Sequence, residues 1–172
     1  MAKGPLRDLG PCNVYWNGVL VGPTHGGVKV KIDDATKLIH EDQSGEAPVD
    51  EVFTGRKIAA IDVPLTRVTI TQLNAVVSGS TKTNDSIDLP NAVGGNMYDS
   101  AKQLMLKPII NGTVSVDANE WLVLYKTYPS TKMELGWDNS GQRIYKVSFS
   151  VFPVANSGAF TGKFGYLGDT AA

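Results

Sequence analysis

Cysteine is almost missing from this chain. Its 172 residues include one, Cys12, so no internal disulfide can form and the fold must stand on packing. Histidine is nearly as scarce. His25 and His40 are the whole supply, and neither has a second ligand at metal-binding spacing. No apolar run approaches the roughly 20 residues of a membrane-spanning helix. Met1 to Pro5 lacks the apolar stretch of a secretory signal. A reducing cytosol is therefore the expected place of assembly. The chain also lacks a charge excess: 16 Lys and Arg face 17 Asp and Glu, for a net charge of −1. A protein that grips nucleic acid by its phosphates carries a basic surplus.

A catalytic centre is equally hard to find. Asp33-Asp34 and Asp50-Glu51 are sequence neighbours, which on a strand point to opposite faces and cannot share a metal or a proton. His25, between Thr24 and Gly26-Gly27, reads as an exposed turn residue, and His40 as a strand end. Nothing around Cys12 lowers a thiol pKa. Gly158 to Phe164 has the outline of a phosphate loop, but its spacing is one residue short, Phe164 stands where Ser or Thr is needed, and no helix follows. Asn84-Asp85-Ser86 and Asn111-Gly112-Thr113 are chance matches to a glycosylation pattern. Neither an enzyme nor a cofactor is expected.

What the chain does have is period-two alternation. Apolar residues make up 42% of it, enough for one domain over residues 1–172. Val14-Tyr15-Trp16 and Val19-Leu20-Val21 flank Asn17-Gly18, a hairpin signal because a tight primed turn needs positive φ at both central residues. Strand patterns follow at Val28 to Ile32, Lys37 to Glu41, Val49 to Phe53 and, after Thr54-Gly55, Lys57 to Leu65, where Ala59, Ile61, Val63 and Leu65 share a side. Later strands are expected at Lys102 to Lys107, Thr113 to Val116, Trp121 to Lys126, Lys132 to Trp137 and Gln142 to Phe152. Asn111-Gly112, Pro129-Ser130 and Asn139-Ser140-Gly141 separate them. In the last strand Tyr145, Val147, Phe149 and Val151 form one face. One helix is expected over Ile70 to Val77, with Thr69 and Gln72 at capping-box spacing and Leu73, Val76 and Val77 as its apolar stripe. Residues 78–100 read as a long polar loop, 1–12 as an N-terminal arm and 153–172 as a C-terminal arm. The fold class is mainly β, a sandwich or barrel of about ten strands flanked by one short helix.

Charge is unevenly spread. Asp33, Asp34, Glu41, Asp42, Glu46, Asp50 and Glu51 crowd one stretch with a single base, Lys37. Such an asymmetry suits a solvated face or subunits meeting head to tail.

Asp42-Gln43-Ser44-Gly45-Glu46-Ala47-Pro48-Val49-Asp50, with Gly55 and the strand ending at Pro64-Leu65 after it, resembles a passage of the tail tube proteins of long-tailed phages. In that family an Asp-Gln-x-Gly-x-x-Pro-Val-Asp run leads to a Gly turn, a strand and a short Leu-containing helix. The opening Pro11 to Gly18, the Tyr145 to Pro153 strand and the closing Gly165 to Asp169 are similar as well. The resemblance implies a β-sandwich or barrel that joins five more copies in a ring, with inner strands continuous between neighbours. The type VI secretion tube protein is a relative of that family. It also implies stacked rings in a virion tail, assembled in the host cytoplasm, through which DNA passes without specific binding. Its partners would be other copies, tape-measure, terminator and baseplate or initiator proteins, and in contractile tails a sheath. Asp33, Asp34, Glu41, Asp42, Asp50 and Glu51 become candidates for the bore or an inter-ring contact. The competing reading is a carbohydrate-binding β-sandwich whose Trp and Tyr side chains form a platform.

Overall fold

The computed structural model describes residues 11–77, 79–89, 91, 94–130, 144–155 and 158–168. The strand expected at Lys132 to Trp137, the Asn139 to Gly141 turn, the start of the Gln142 strand and the outermost parts of both arms lie outside them. The described residues form one α-helix, α1 (Ile70–Val76), and eleven strands. These are β1 (Cys12–Trp16), β2 (Val19–Gly22), β3 (Lys29–Ile39), β4 (Asp50–Leu65), β5 (Thr81–Thr83), β6 (Ser86–Asp88), β7 (Lys102–Ile110), β8 (Thr113–Val114), β9 (Leu122–Ser130), β10 (Tyr145–Phe152) and β11 (Gly165–Leu167). The fold is mainly β, as the alternation predicts. No helix among these residues is long and apolar enough to cross a membrane.

Local chemistry accounts for the turns. Asn17 and Gly18 take φ of +51° and +77°, and Asn111 and Gly112 take +50° and +77°, the left-handed pairs that a two-residue hairpin requires. The helix starts with the reciprocal cap its sequence encodes. The Gln72 N–H donates to Thr69 Oγ1, while Gln72 Oε1 accepts from the Thr69 N–H at 2.9 Å. Leu73 and Val76 turn inward from it.

Hydrogen-bonded neighbours run β2-β1-β7-β9-β10-β4-β3, every pair antiparallel. The sheet then closes on itself. Past β2, Thr24 bridges Leu65 at the end of β4, with the His25 N–H donating to Pro64 O and the Thr66 N–H to Pro23 O. One bent segment, β2 to β3, thus leaves β1 and joins β4. Closure gives a single interior, filled by Val14, Val21, Ile61, Leu65, Leu104 and Phe149. Each such side chain contributes roughly 1.5–3 kcal/mol on burial. Trp16 lies against Phe149, its indole N–H donating to Thr127 O.

Several boundaries differ from the sequence reading. Val28 to Ile32 and Lys37 to Glu41 merge into β3, and Val49 to Phe53 and Lys57 to Leu65 merge into the 16-residue β4. Gly55 is no turn: it pairs with Ala35 inside the ladder. Two register shifts in β4 explain the misreading, since a bulge resets the alternation. One of them falls between Ile58 and Ala60, and Ile58 is buried in the core. Pro129 also lies within a strand, opposite Phe149. Past Thr127 β9 pairs with β10 but no longer with β7. Residues 78–100 hold the small β5–β6 hairpin, turned at Asn84 (φ +55°) and tied to α1 by Lys82 Nζ to Thr71 Oγ1 at 2.9 Å. Strands of three residues are too short to show a period.

β11 lies in the same lane as β10, beside the first residues of β9. Gly165 makes that approach possible, because a Cβ there would sit 2.0 Å from Val123 O. Gly165→Ala is expected to cost about 1–3 kcal/mol, the usual penalty of overpacking. Urea unfolding should show the loss, and hydrogen exchange should place it in β11. An unchanged midpoint would mean that the close approach is not held in solution.

Candidate functional site

The feature that sets this molecule apart from a self-contained barrel is the β3–β4 hairpin. On one edge β4 pairs with β3 over most of its length. On the other, only Ile61–Leu65 pair with β10. The portion before Ile61 is about 35 Å of strand at ~3.3 Å per residue, and it continues with that second edge unpaired among the described residues. β3 ends the sheet order, so its outer edge is unpaired among them too. Unpaired N–H and C=O groups along a strand invite another strand.

All six candidate carboxylates lie on this hairpin or its tip, and all are exposed. They do not form one face. Register puts Asp34, Thr36 and Leu38 with Ile58, Arg56, Phe53 and Glu51 on the face that continues the barrel interior. Asp33, Lys37 and Ile39 share the opposite face with Lys31, Lys57, Val52 and Asp50. Asp33 lies 3.4 Å from Lys31 and opposite Lys57. Asp34 accepts two hydrogen bonds from Arg56, at 2.6 and 3.0 Å. Thr36 donates to Glu51, and the Glu51 N–H donates to its neighbour Asp50. The carboxylates of the hairpin's inner half are thus matched by bases from the partner strand. Three further carboxylates, Glu41, Asp42 and Glu46, lie at the tip.

The motif residues make that tip. Asp42–Ser44 form one 3-10 turn, Gly45 leaves it at φ +65°, and Pro48 precedes Val49, whose N–H returns to Ile39 O at 2.9 Å. Gln43 is exposed within the turn. The passage is a hairpin connection, with Gly45 at a position where other residues would be strained.

Beside the hairpin lies a cleft of about 610 Å³, walled by Ile32, Phe53 and Arg56 on one side and by Lys163, Phe164 and β11 on the other. Leu122 and Leu124 of β9 also line it. Ile32, Phe53 and Leu167 are 56%, 57% and 59% exposed, an unusual state for large apolar groups grouped on regular strands. Sequence reasoning missed this cleft. Ile32 and Phe53 carry the ordinary signature of core strand positions, and nothing local reveals that the barrel ends before them.

Of the aromatics a sugar platform would use, Trp137 lies outside the described residues, and two others are covered by neighbours. Lys107 Nζ lies 3.7 Å from the Trp121 ring centroid, and Tyr125 is flanked by Phe160 and Tyr166. Burial pushes the Cys12 thiol up, away from reactivity. Among the described residues no three His, Cys, Asp or Glu are grouped to hold a metal. The chain matches no protein-family model and no characterised protein.

The Arg56 hydrogen bonds hold the Asp34 carboxyl below the ordinary aspartate value of 3.8. A depressed folded pKa stabilises above the unfolded value, and that contribution is lost as pH falls through the folded pKa. Both groups are exposed, so the pair is screened and global stability should barely move. Carboxyl carbon NMR should find Asp34 titrating below 3.8 and returning toward it in Arg56→Gln. Identical midpoints would show that the pair is open in solution.

Proposed function

We propose that this protein is the structural subunit of a phage tail tube, built as rings that stack into a conduit for DNA. The observation that carries the reading is the β3–β4 hairpin, which runs on past its own barrel with both edges unpaired among the described residues and large apolar side chains exposed. A monomer gains nothing from such an element, and it leaves the chain prone to edge pairing. A subunit that must remain soluble alone yet close into a ring needs both edges, one for each neighbour. The near-zero net charge lowers the repulsion between copies. The resemblance of residues 42–65 to the tube family points the same way, and those residues compose the hairpin tip and β4. On this reading the ring has six copies, and the tape-measure, terminator and initiator proteins are its partners.

The carbohydrate-binding alternative loses its main support where Lys107 covers the Trp121 ring. It predicts a monomer with glycan affinity.

Negative-stain microscopy and light scattering on the purified protein test the proposal. Rings of six-fold symmetry, and tubes at higher concentration, are expected. A chain that stays monomeric up to millimolar concentration, with or without an initiator complex, would sink it.

A further inference from the structure

Independently of the ring reading, we infer that the cleft between the hairpin and β11 binds an unbranched amphiphile with one negative charge, an alkyl carboxylate. Shape is the first ground. The volume, about 610 Å³, lies within the range of small-molecule sites, and the mouths of β-barrels are common places for them. The cleft is also elongated. Phe53 and Ile58 both line it and stand five residues apart on β4, about 17 Å at ~3.3 Å per residue. An extended hydrocarbon fits such a trough, and a compact polycyclic molecule does not.

The lining supplies the second ground. Its floor is the barrel's own core: Ile58 and Leu124 belong to that core, and Leu122 and Phe164 pack against it. Its rim is apolar and wet, with Ile32, Phe53 and Leu167 each more than half exposed. A hydrocarbon laid along the trough would cover all three, and removing apolar surface from water is the main source of affinity for such a guest. Occupied, the cleft would shield its rim while the subunit is free in solution.

Charge sets the head group. Among the residues that line the cleft only Arg56 and Lys163 are charged. Asp34 already answers Arg56 through two hydrogen bonds. Lys163 has no ion-pair partner among the described residues. Its backbone is fixed, the N–H donating to Phe160 O and the carbonyl accepting from the Val154 N–H, both at 3.0 Å. The trough therefore presents one unmatched cation at a set place on an apolar wall. A single carboxylate matches it, whereas a neutral head leaves it unmatched and a cationic head meets like charge.

The test titrates octanoate, decanoate and dodecanoate into the full-length protein below their micelle-forming concentrations, with decanol and decyltrimethylammonium as head-group controls. Calorimetry reads affinity and methyl NMR reads place. Decanoate is expected to bind one to one and to shift the methyl signals of Ile32, Ile58, Leu122, Leu124 and Leu167. Each two added methylenes should tighten binding about tenfold while the trough has room. Lys163→Gln should weaken decanoate up to about fivefold, less as salt rises, and leave decanol unchanged. Phe53→Asp should weaken the acid and the alcohol alike. Amide spectra of the free variants check that each is folded. Shifts scattered over the surface without saturation, or equal affinity for decanoate and decyltrimethylammonium, would overturn the inference. So would uptake of phospholipid from phosphatidylcholine vesicles in place of the free acid. None of these readouts involves ring formation, so their failure leaves the ring reading as it stands.

Discussion

A strand needs a partner along each edge or water in its place, and β4 has more edge than its barrel can use. Ile61–Leu65 pair with β10 on one side, while β3 runs along most of the other. β10 then turns its last residues toward β9, and β11 takes over its lane without reaching β4. The mismatch in length between β4 and β10 generates the remaining features. It opens the cleft, exposes Ile32 and Phe53, and carries the acidic tip away from the core.

Closure at Thr24 and Leu65 makes that excess tolerable. The two hydrogen bonds around this bridge fix the point at which the β2–β3 segment changes partner. The helix reinforces this junction. Thr69 caps it four residues past Leu65, and Leu73 and Val76 pack inward beside β2. The buried side chains of β4 thus gather at its C-terminal end, Ile61, Val63 and Leu65, and the exposed ones, Val52 and Phe53, in its N-terminal half. In the proposed ring such a division would let the subunit fold first and associate afterward.

Much of this was legible in the sequence wherever a short pattern determines backbone geometry. Asn17-Gly18 and Asn111-Gly112 specify their turns, Thr69 and Gln72 specify the helix start, and the alternation of Tyr145 to Val151 specifies a strand buried on one side. What escaped depends on strands meeting at long range. Bulges reset the parity of β4, so Gly55 read as a break. A composition window from Asp33 to Glu51 counted seven acids against one base, but Arg56 and Lys57 lie across the ladder from Asp34 and Asp33. Charge summed along a chain is not charge summed over a surface. The cleft was illegible for the same reason, because an apolar residue on a strand looks alike whether its neighbour is the core or an open cleft.

That correction bears on how a tube could pass DNA. A bore lined by unopposed carboxylates would repel phosphate, and one lined by free lysines would hold it, with affinity growing with each contact. The hairpin face turned away from the barrel interior carries Lys31, Lys37 and Lys57 interleaved with Asp33 and Asp50. Asp33 beside Lys31 at 3.4 Å shows the scale of this pairing. A lysine with a carboxylate at that range offers phosphate a competitor in place, and at physiological salt the alternating field fades within about 8 Å. If neighbouring hairpins join edge to edge, that face becomes the inner wall. Alternation then does what a uniformly acidic wall would do by repulsion: it leaves no run of cations long enough to bind a moving polyanion. The hairpin's tip, with Asp42 and Glu46, lies farthest from the barrel. In the proposed tube that tip would meet the next ring, and the strands behind it would give a bore of balanced charge.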